Sequence, residues 1–222
     1  MKIYSKFIKF SFIAAFLSIY FSGCVNVEQK TVLKPDGSGK MNIKYWTKST
    51  NVQLDEVGVF GFTEAKVRDD FSSANSEVTD VDVDNNTKDS IITVKVKLKF
   101  KDINKISEAR SFTHIKASWE KIKDTIFFKY TLLQDSADAS FFGAGSYNLN
   151  YVFDFPGEVI SSNGKNDGGK VTWNKTLADL KNDIEFKATM IPSKCGIFGI
   201  ELPVVFVLGM STLILIRKKR KK

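Results

Sequence analysis

Hydrophobic and polar positions alternate along most of residues 25–191, the period-two pattern of half-buried β-strands. Residues 25–34 and 39–47 flank Pro35-Asp36-Gly37-Ser38-Gly39, a hairpin signal, and Met41, Ile43 and Tyr45 share one face of the second arm. Within 89–100, Ile92, Val94, Val96, Leu98 and Phe100 face inward while Lys95, Lys97 and Lys99 face water. Residues 112–121 and 125–133 predict a second hairpin. Tyr147, Leu149, Tyr151, Phe153 and Phe155 line one face of a further strand. Residues 155–173 predict two strands around a Gly-rich turn, and 183–191 a last strand. Residues 63–74 change to helical spacing, with Thr63 as N-cap and Val67, Phe71 and Ala74 as the apolar stripe. Residues 102–110 predict a short helix and 177–183 a helical turn. The sum is about nine strands and two or three short helices: an α+β domain with a mainly antiparallel sheet, plus one C-terminal transmembrane helix.

The two ends show a different pattern. Lys2, Lys6 and Lys9 form a positive n-region, and Phe10–Phe21 is an apolar run of twelve residues, the length of a signal-peptide h-region. Ser22 and Gly23 are small and stand directly before Cys24. That order resembles the lipobox of bacterial lipoproteins, with Phe21 where leucine is usual. The chemistry accounts for the residue: the Cys24 thiol takes a diacylglycerol as a thioether, and cleavage falls between Gly23 and Cys24. At the other end, residues 196–216 are 21 residues with a single charge, Glu201, enough at about 1.5 Å per residue to cross a hydrocarbon core. The six cations of residues 217–222 place the C-terminal side of this span in the cytoplasm. The expected organisation is a signal peptide (1–23), an extracytoplasmic domain (24–195), a transmembrane helix (196–216) and a basic cytoplasmic tail (217–222).

The formal charge of +8 is a product of these ends. Nine of the 33 cations lie in 1–23 and 217–222, leaving 24 against 24 acids in 24–195. A neutral domain offers no polybasic face, so nucleic acid is excluded as a partner. With Cys24 acylated, Cys195 stands alone and a disulfide framework is excluded by count.

No catalytic constellation emerges. Gly164–Val171 matches G-x-x-x-x-G-K but ends in Val171 and runs into a strand, so it is a hairpin turn, not a phosphate loop. The aspartates of 80–89 lack the glycine and glutamate of a calcium loop and make the wet face of a strand around Val81 and Val83. His114, the only histidine, has no triad or metal partners nearby in sequence. No metal or cofactor is expected. Phe141 and Phe142 stand out, because adjacent aromatics in a loop of small residues indicate core packing, a partner or a membrane. Val59-Phe60-Gly61-Phe62 raises the same question more weakly.

The "SGC" at 22–24, the "LKPDGSGKMNI" hairpin at 33–43, the "FPGEVISSNGKNDGGKVTWN" segment at 155–174 and the apolar run with its basic tail resemble LppM-type bacterial lipoproteins. The resemblance implies an exported α/β domain working at the membrane surface on lipids or glycolipids, and it brings no catalytic residues. The expected function is a membrane-anchored, non-enzymatic module binding lipid or lipid-linked glycan. Cys24 is its lipidation site and Phe141 and Phe142 its candidate membrane or ligand contact. The alternatives are an envelope scaffold that binds another membrane protein, and a hydrolase.

Overall fold

The computed structural model describes residues 25–52, 54–134, 148–176, 179–180 and 182–193. Strands β1 (Asn26–Leu33) and β2 (Gly39–Lys48) form the first hairpin, in the register Asn26↔Trp46 to Leu33↔Gly39. Its turn is closed by Asp36, whose Oδ1 accepts from the Ser38 backbone N–H at 3.0 Å and the Ser38 hydroxyl at 2.7 Å. Gly37 sits at φ +81° there. Two residues later the strand begins against bulk: a Cβ on Gly39 would lie 2.3 Å from the Val32 carbonyl and 2.7 Å from the Phe100 ring.

After β2 come two-residue strands β3 (Glu56–Val57) and β4 (Phe60–Gly61), then helix α1 (Glu64–Phe71). The helix is shorter than 63–74, and Thr63 occupies the N-cap without a side-chain hydrogen bond. Val67 and Phe71 are its buried apolar residues. Strands β5 (Ser76–Asn86) and β6 (Ile91–Phe100) come next. The expected helix over 102–110 is instead two 3-10 turns, Ile103–Glu108 and Arg110–Phe112. Asp102 caps the first by accepting from the Asn104 N–H, and Ile103 and Ile106 reach the core. Strands β7 (Ile115–Ile122) and β8 (Thr125–Leu132) make the second hairpin, and β9 spans Asn148–Asp154. The segment 155–173 holds more than two strands: β10 (Gly157–Ser162), β11 (Lys165–Asp167) and β12 (Lys170–Thr176). Strand β13 is Ile184–Pro192.

The described residues are thus mostly β-sheet with few helices. A seven-stranded sheet runs β11-β12-β9-β1-β2-β6-β5 and a four-stranded sheet β10-β13-β8-β7. All pairs are antiparallel except β1 with β9, which run parallel from Val27↔Leu149 to Val32↔Asp154.

One half of the large sheet, β9 and β12, packs on the small sheet through aromatics. Phe153 lies 4.9 Å from Phe128 and 5.2 Å from Tyr130, ring centre to ring centre. Phe186 lies 5.1 Å from Tyr151 and 5.2 Å from Trp173. Trp173 is a core aromatic. The other half is covered by α1, the β3–β4 hairpin and the 3-10 turns, with Tyr45 between Phe60, Phe62 and Phe71. Phe60 and Phe62 therefore pack the core. Among the described residues no helix is long and apolar enough to cross a membrane. The apolar run at 196–216 lies outside the described residues.

Candidate functional site

Strand alternation puts Ile126, Phe128 and Tyr130 into the core, so their neighbour Phe127 is turned outward on β8. It remains 44% exposed, unusual for a phenylalanine in mid-sheet. The register surrounds it with other apolar side chains. Phe127 stands opposite Thr189 of β13 and Glu120 of β7. Ile191 and Ile122 lie two positions further along those strands, diagonal to Phe127 and within reach of it. The bulge between Val159 and Ser161 turns Ile160 out on the same face, beside Thr189. Ile122, Ile160 and Ile191 are each about half exposed (50%, 53% and 44%). The outer face of the four-stranded sheet thus carries an apolar group at one end. Towards the other end lie Lys129, Lys187 and Glu185, joined by ion pairs.

The outer face of the seven-stranded sheet is different. Lys95 and Lys97 of β6 pair across the ladder with Asp82 and Asp80 of β5, both at 2.9 Å. Lys44 lies 4.0 Å from Glu28 and 4.5 Å above the Trp46 ring. The aspartates of β5 are therefore a solvated strand face, with Val81 and Val83 half buried behind them.

One charged cluster has a buried member. Asp70 of α1 is 1% exposed; its Oδ1 accepts from Arg110 Nη1 at 3.0 Å and lies 3.6 Å from Lys66 Nζ. Both cations also reach Glu56 Oε2 of β3, Lys66 at 3.1 Å and Arg110 at 3.2 Å. The Lys66 hydrogen bond, then those charges, hold the Glu56 carboxyl below its ordinary value. Asp70 Oδ2 accepts no hydrogen bond among the described residues. The β4 backbone closes over it, since a Cβ on Gly61 would lie 3.0 Å away. The Tyr45 hydroxyl donates to the Gly61 carbonyl on the same hairpin. This cluster clamps hairpin to helix. Among the described residues no group of three or more His, Cys, Asp or Glu is placed to hold a metal ion. His114 is exposed in the turn before β7, and its carbonyl accepts from the Leu133 N–H.

Cys24, Phe141 and Phe142 lie outside the described residues, but the structure places their flanks. Asn148, on the C-terminal side of the Phe141–Phe142 loop, donates its backbone N–H to Asn26 Oδ1 at 3.3 Å. Asn26 is two residues after Cys24. Gln134, which precedes the loop, donates its N–H to Asp183 Oδ1 at 2.7 Å. Cys24 and the segment 135–147, which carries Phe141 and Phe142, therefore join the described residues at the same end of the sandwich. The outward apolar group was missed in the sequence. Its signal is the phase of Ile126-Phe127-Phe128-Lys129-Tyr130, which cannot put both phenylalanines inside.

No family model and no curated protein matches the chain. Among solved structures, the NMR structure of the folded domain of the Mycobacterium tuberculosis LppM protein aligns with a TM-score of 0.48 and 14% identity. The alignment covers 79% of this chain and 95% of that one.

Proposed function

We propose that the protein is a membrane-tethered, non-enzymatic module that engages lipid or lipid-linked glycan at the extracytoplasmic membrane surface. Cys24 and the apolar run at 196–216 are its tethers. The observation that carries this reading is the apolar group around Phe127. Four large aliphatic or aromatic side chains gathered on one exposed sheet face mark a contact surface rather than ordinary surface scatter. Fully burying such a side chain is worth about 1.5–3 kcal/mol, so four half-exposed ones supply a few kcal/mol at most. That is weak for a free protein. It suffices for a domain whose tethers already fix a high local lipid concentration. The formal neutrality of residues 24–195 leaves apolar contact, not bulk charge, as the main attraction.

An adaptor role through a sheet edge draws less support. The long free edge, β5, carries Glu77, Asp80, Asp82 and Asp84 and a bulge between Val78 and Asp80, features that resist strand addition.

The test is photocrosslinking of the full, acylated chain in nanodiscs with a photoreactive phospholipid. Crosslinks are expected in peptides holding Ile122–Phe127 and Ile160, and Phe127→Ser should reduce their yield severalfold. Crosslinks absent from these peptides, with a folded protein, would overturn the reading.

A further inference from the structure

The two tethers attach at opposite ends of the sandwich. Strand β9 measures the distance between them. Its first residue, Asn148, touches Asn26, two residues after Cys24. Three residues beyond its last, Gly157 pairs with Pro192, four residues before the apolar run at 196–216. From Asn148 to Phe155 the backbone is extended, and at roughly 3.3 Å per residue the two attachment points are about 25 Å apart along the strand direction. Neither linker can span that distance. Cys24 and Val25 reach about 7 Å, and residues 193–195 about 10 Å. Val25 is moreover buried, which shortens the first. A sandwich standing on either end would hold one tether too far from lipid to insert.

We propose that the domain lies with its strands along the membrane plane and the outer face of the four-stranded sheet against the lipid bilayer. This rests on the proposed tethers. The choice of face comes from the apolar group at Phe127, Ile122, Ile160 and Ile191, since Ile191 is the residue before Pro192, where the chain departs. The opposite tether then holds down the end that the apolar group does not reach. Packed sheets lie about 10 Å apart. An anchor leaving from β1 with about 7 Å of backbone falls short of that depth, so the thioether-linked glycerol of the acylated Cys24 must complete the span, which it can do only with the four-stranded layer held in contact with the bilayer. The ion-paired face of β2, β5 and β6 is turned outward.

The experiment uses the full chain in nanodiscs, with Cys195→Ser and single labels at Lys116→Cys, Lys123→Cys or Asn42→Cys. Lys116 and Lys123 lie near opposite ends of the four-stranded sheet, and Asn42 is exposed on the seven-stranded sheet. A lipid-borne quencher should reduce Lys116 and Lys123 fluorescence to a similar extent, and Asn42 severalfold less. A Cys24→Ser chain lacking residues 1–23, held in the nanodisc by the apolar run at 196–216 alone, should lose quenching at Lys116 and keep it at Lys123. Strong quenching at Lys123 with none at Lys116 in the acylated protein would overturn the flat arrangement while leaving lipid contact standing. Quenching at Asn42 instead would assign the wrong face. Absence of quenching at all three would reject lipid contact itself.

Discussion

Arg110 Nη1 donates to Asp70 Oδ1 at 3.0 Å, joining a 3-10 turn to helix α1 across 40 residues of sequence. The carboxylate is buried and the guanidinium 46% exposed, so the two partners are not equivalent. Arg110→Met leaves Asp70 with Lys66 at 3.6 Å as its remaining cation. Removing the exposed guanidinium leaves the buried carboxylate with one cation at longer range and should destabilise the domain. The expected sign is a Tm lowered by more than about 2 °C, readable by thermal circular dichroism. A shift under about 2 °C would show that Lys66 and Glu56 hold the hairpin without it.

Alkaline pH should unfold the domain through its tyrosines. Burial, and for Tyr45 also the charge of Asp70, pushes the Tyr45 phenol well above its ordinary value of 10.0. Burial does the same for Tyr130 and Tyr151. Below about pH 10 both folded and unfolded chains keep these protons, and the full stability is present. As pH rises past about 10 the unfolded chain ionises and the folded one does not, so stability falls progressively towards the folded values. A pH jump should show tyrosinate absorbance of these residues appearing together with loss of the near-ultraviolet circular dichroism. Smooth tyrosinate titration near the ordinary phenol value with the fold intact would contradict their burial.

Lys40 stands directly opposite Lys99 in the β2–β6 ladder, a like-charge pair on the solvent face. Lys40→Glu converts repulsion to attraction and should stabilise by about 0.2–1 kcal/mol, seen as a raised urea midpoint at low salt. The gain should shrink at about 1 M salt, where the screening length falls to roughly 3 Å. A destabilised variant would mean that the cation has a partner of its own on this face.

The period-two pattern made most of the sheet legible. Strands β1, β2, β6 and β8 fall within a residue or two of their expected bounds because each has one wet and one buried face. The hairpin at Pro35–Gly39 was equally plain, since its turn chemistry is local. Strands β3 and β4 were not, at two residues each. Nor was the third strand hidden in 155–173, where Lys165–Asp167 is wholly exposed and has no apolar phase. The Asp70 cluster joins Glu56, Lys66 and Arg110 from three separate elements, and no local spacing announces such a meeting. The short 3-10 turns replaced a predicted helix because Asp102 caps one tight turn and Ala109 ends it.

The parallel pairing of β1 with β9 also sets an order of events. Strand β1 can pair with β2 as soon as 48 residues exist, but its other edge stays open until residues 149–154 arrive. During that interval a central strand exposes unpaired N–H and C=O groups beside what we propose to be an acylated cysteine. Closing a contact across 122 residues is slow, because the intervening loop entropy is lost before the pairing is gained. The docking of β9 is therefore the expected slow phase of folding. A chain stalled before it would present the membrane with a half-built sheet, open on the flank next to its own anchor.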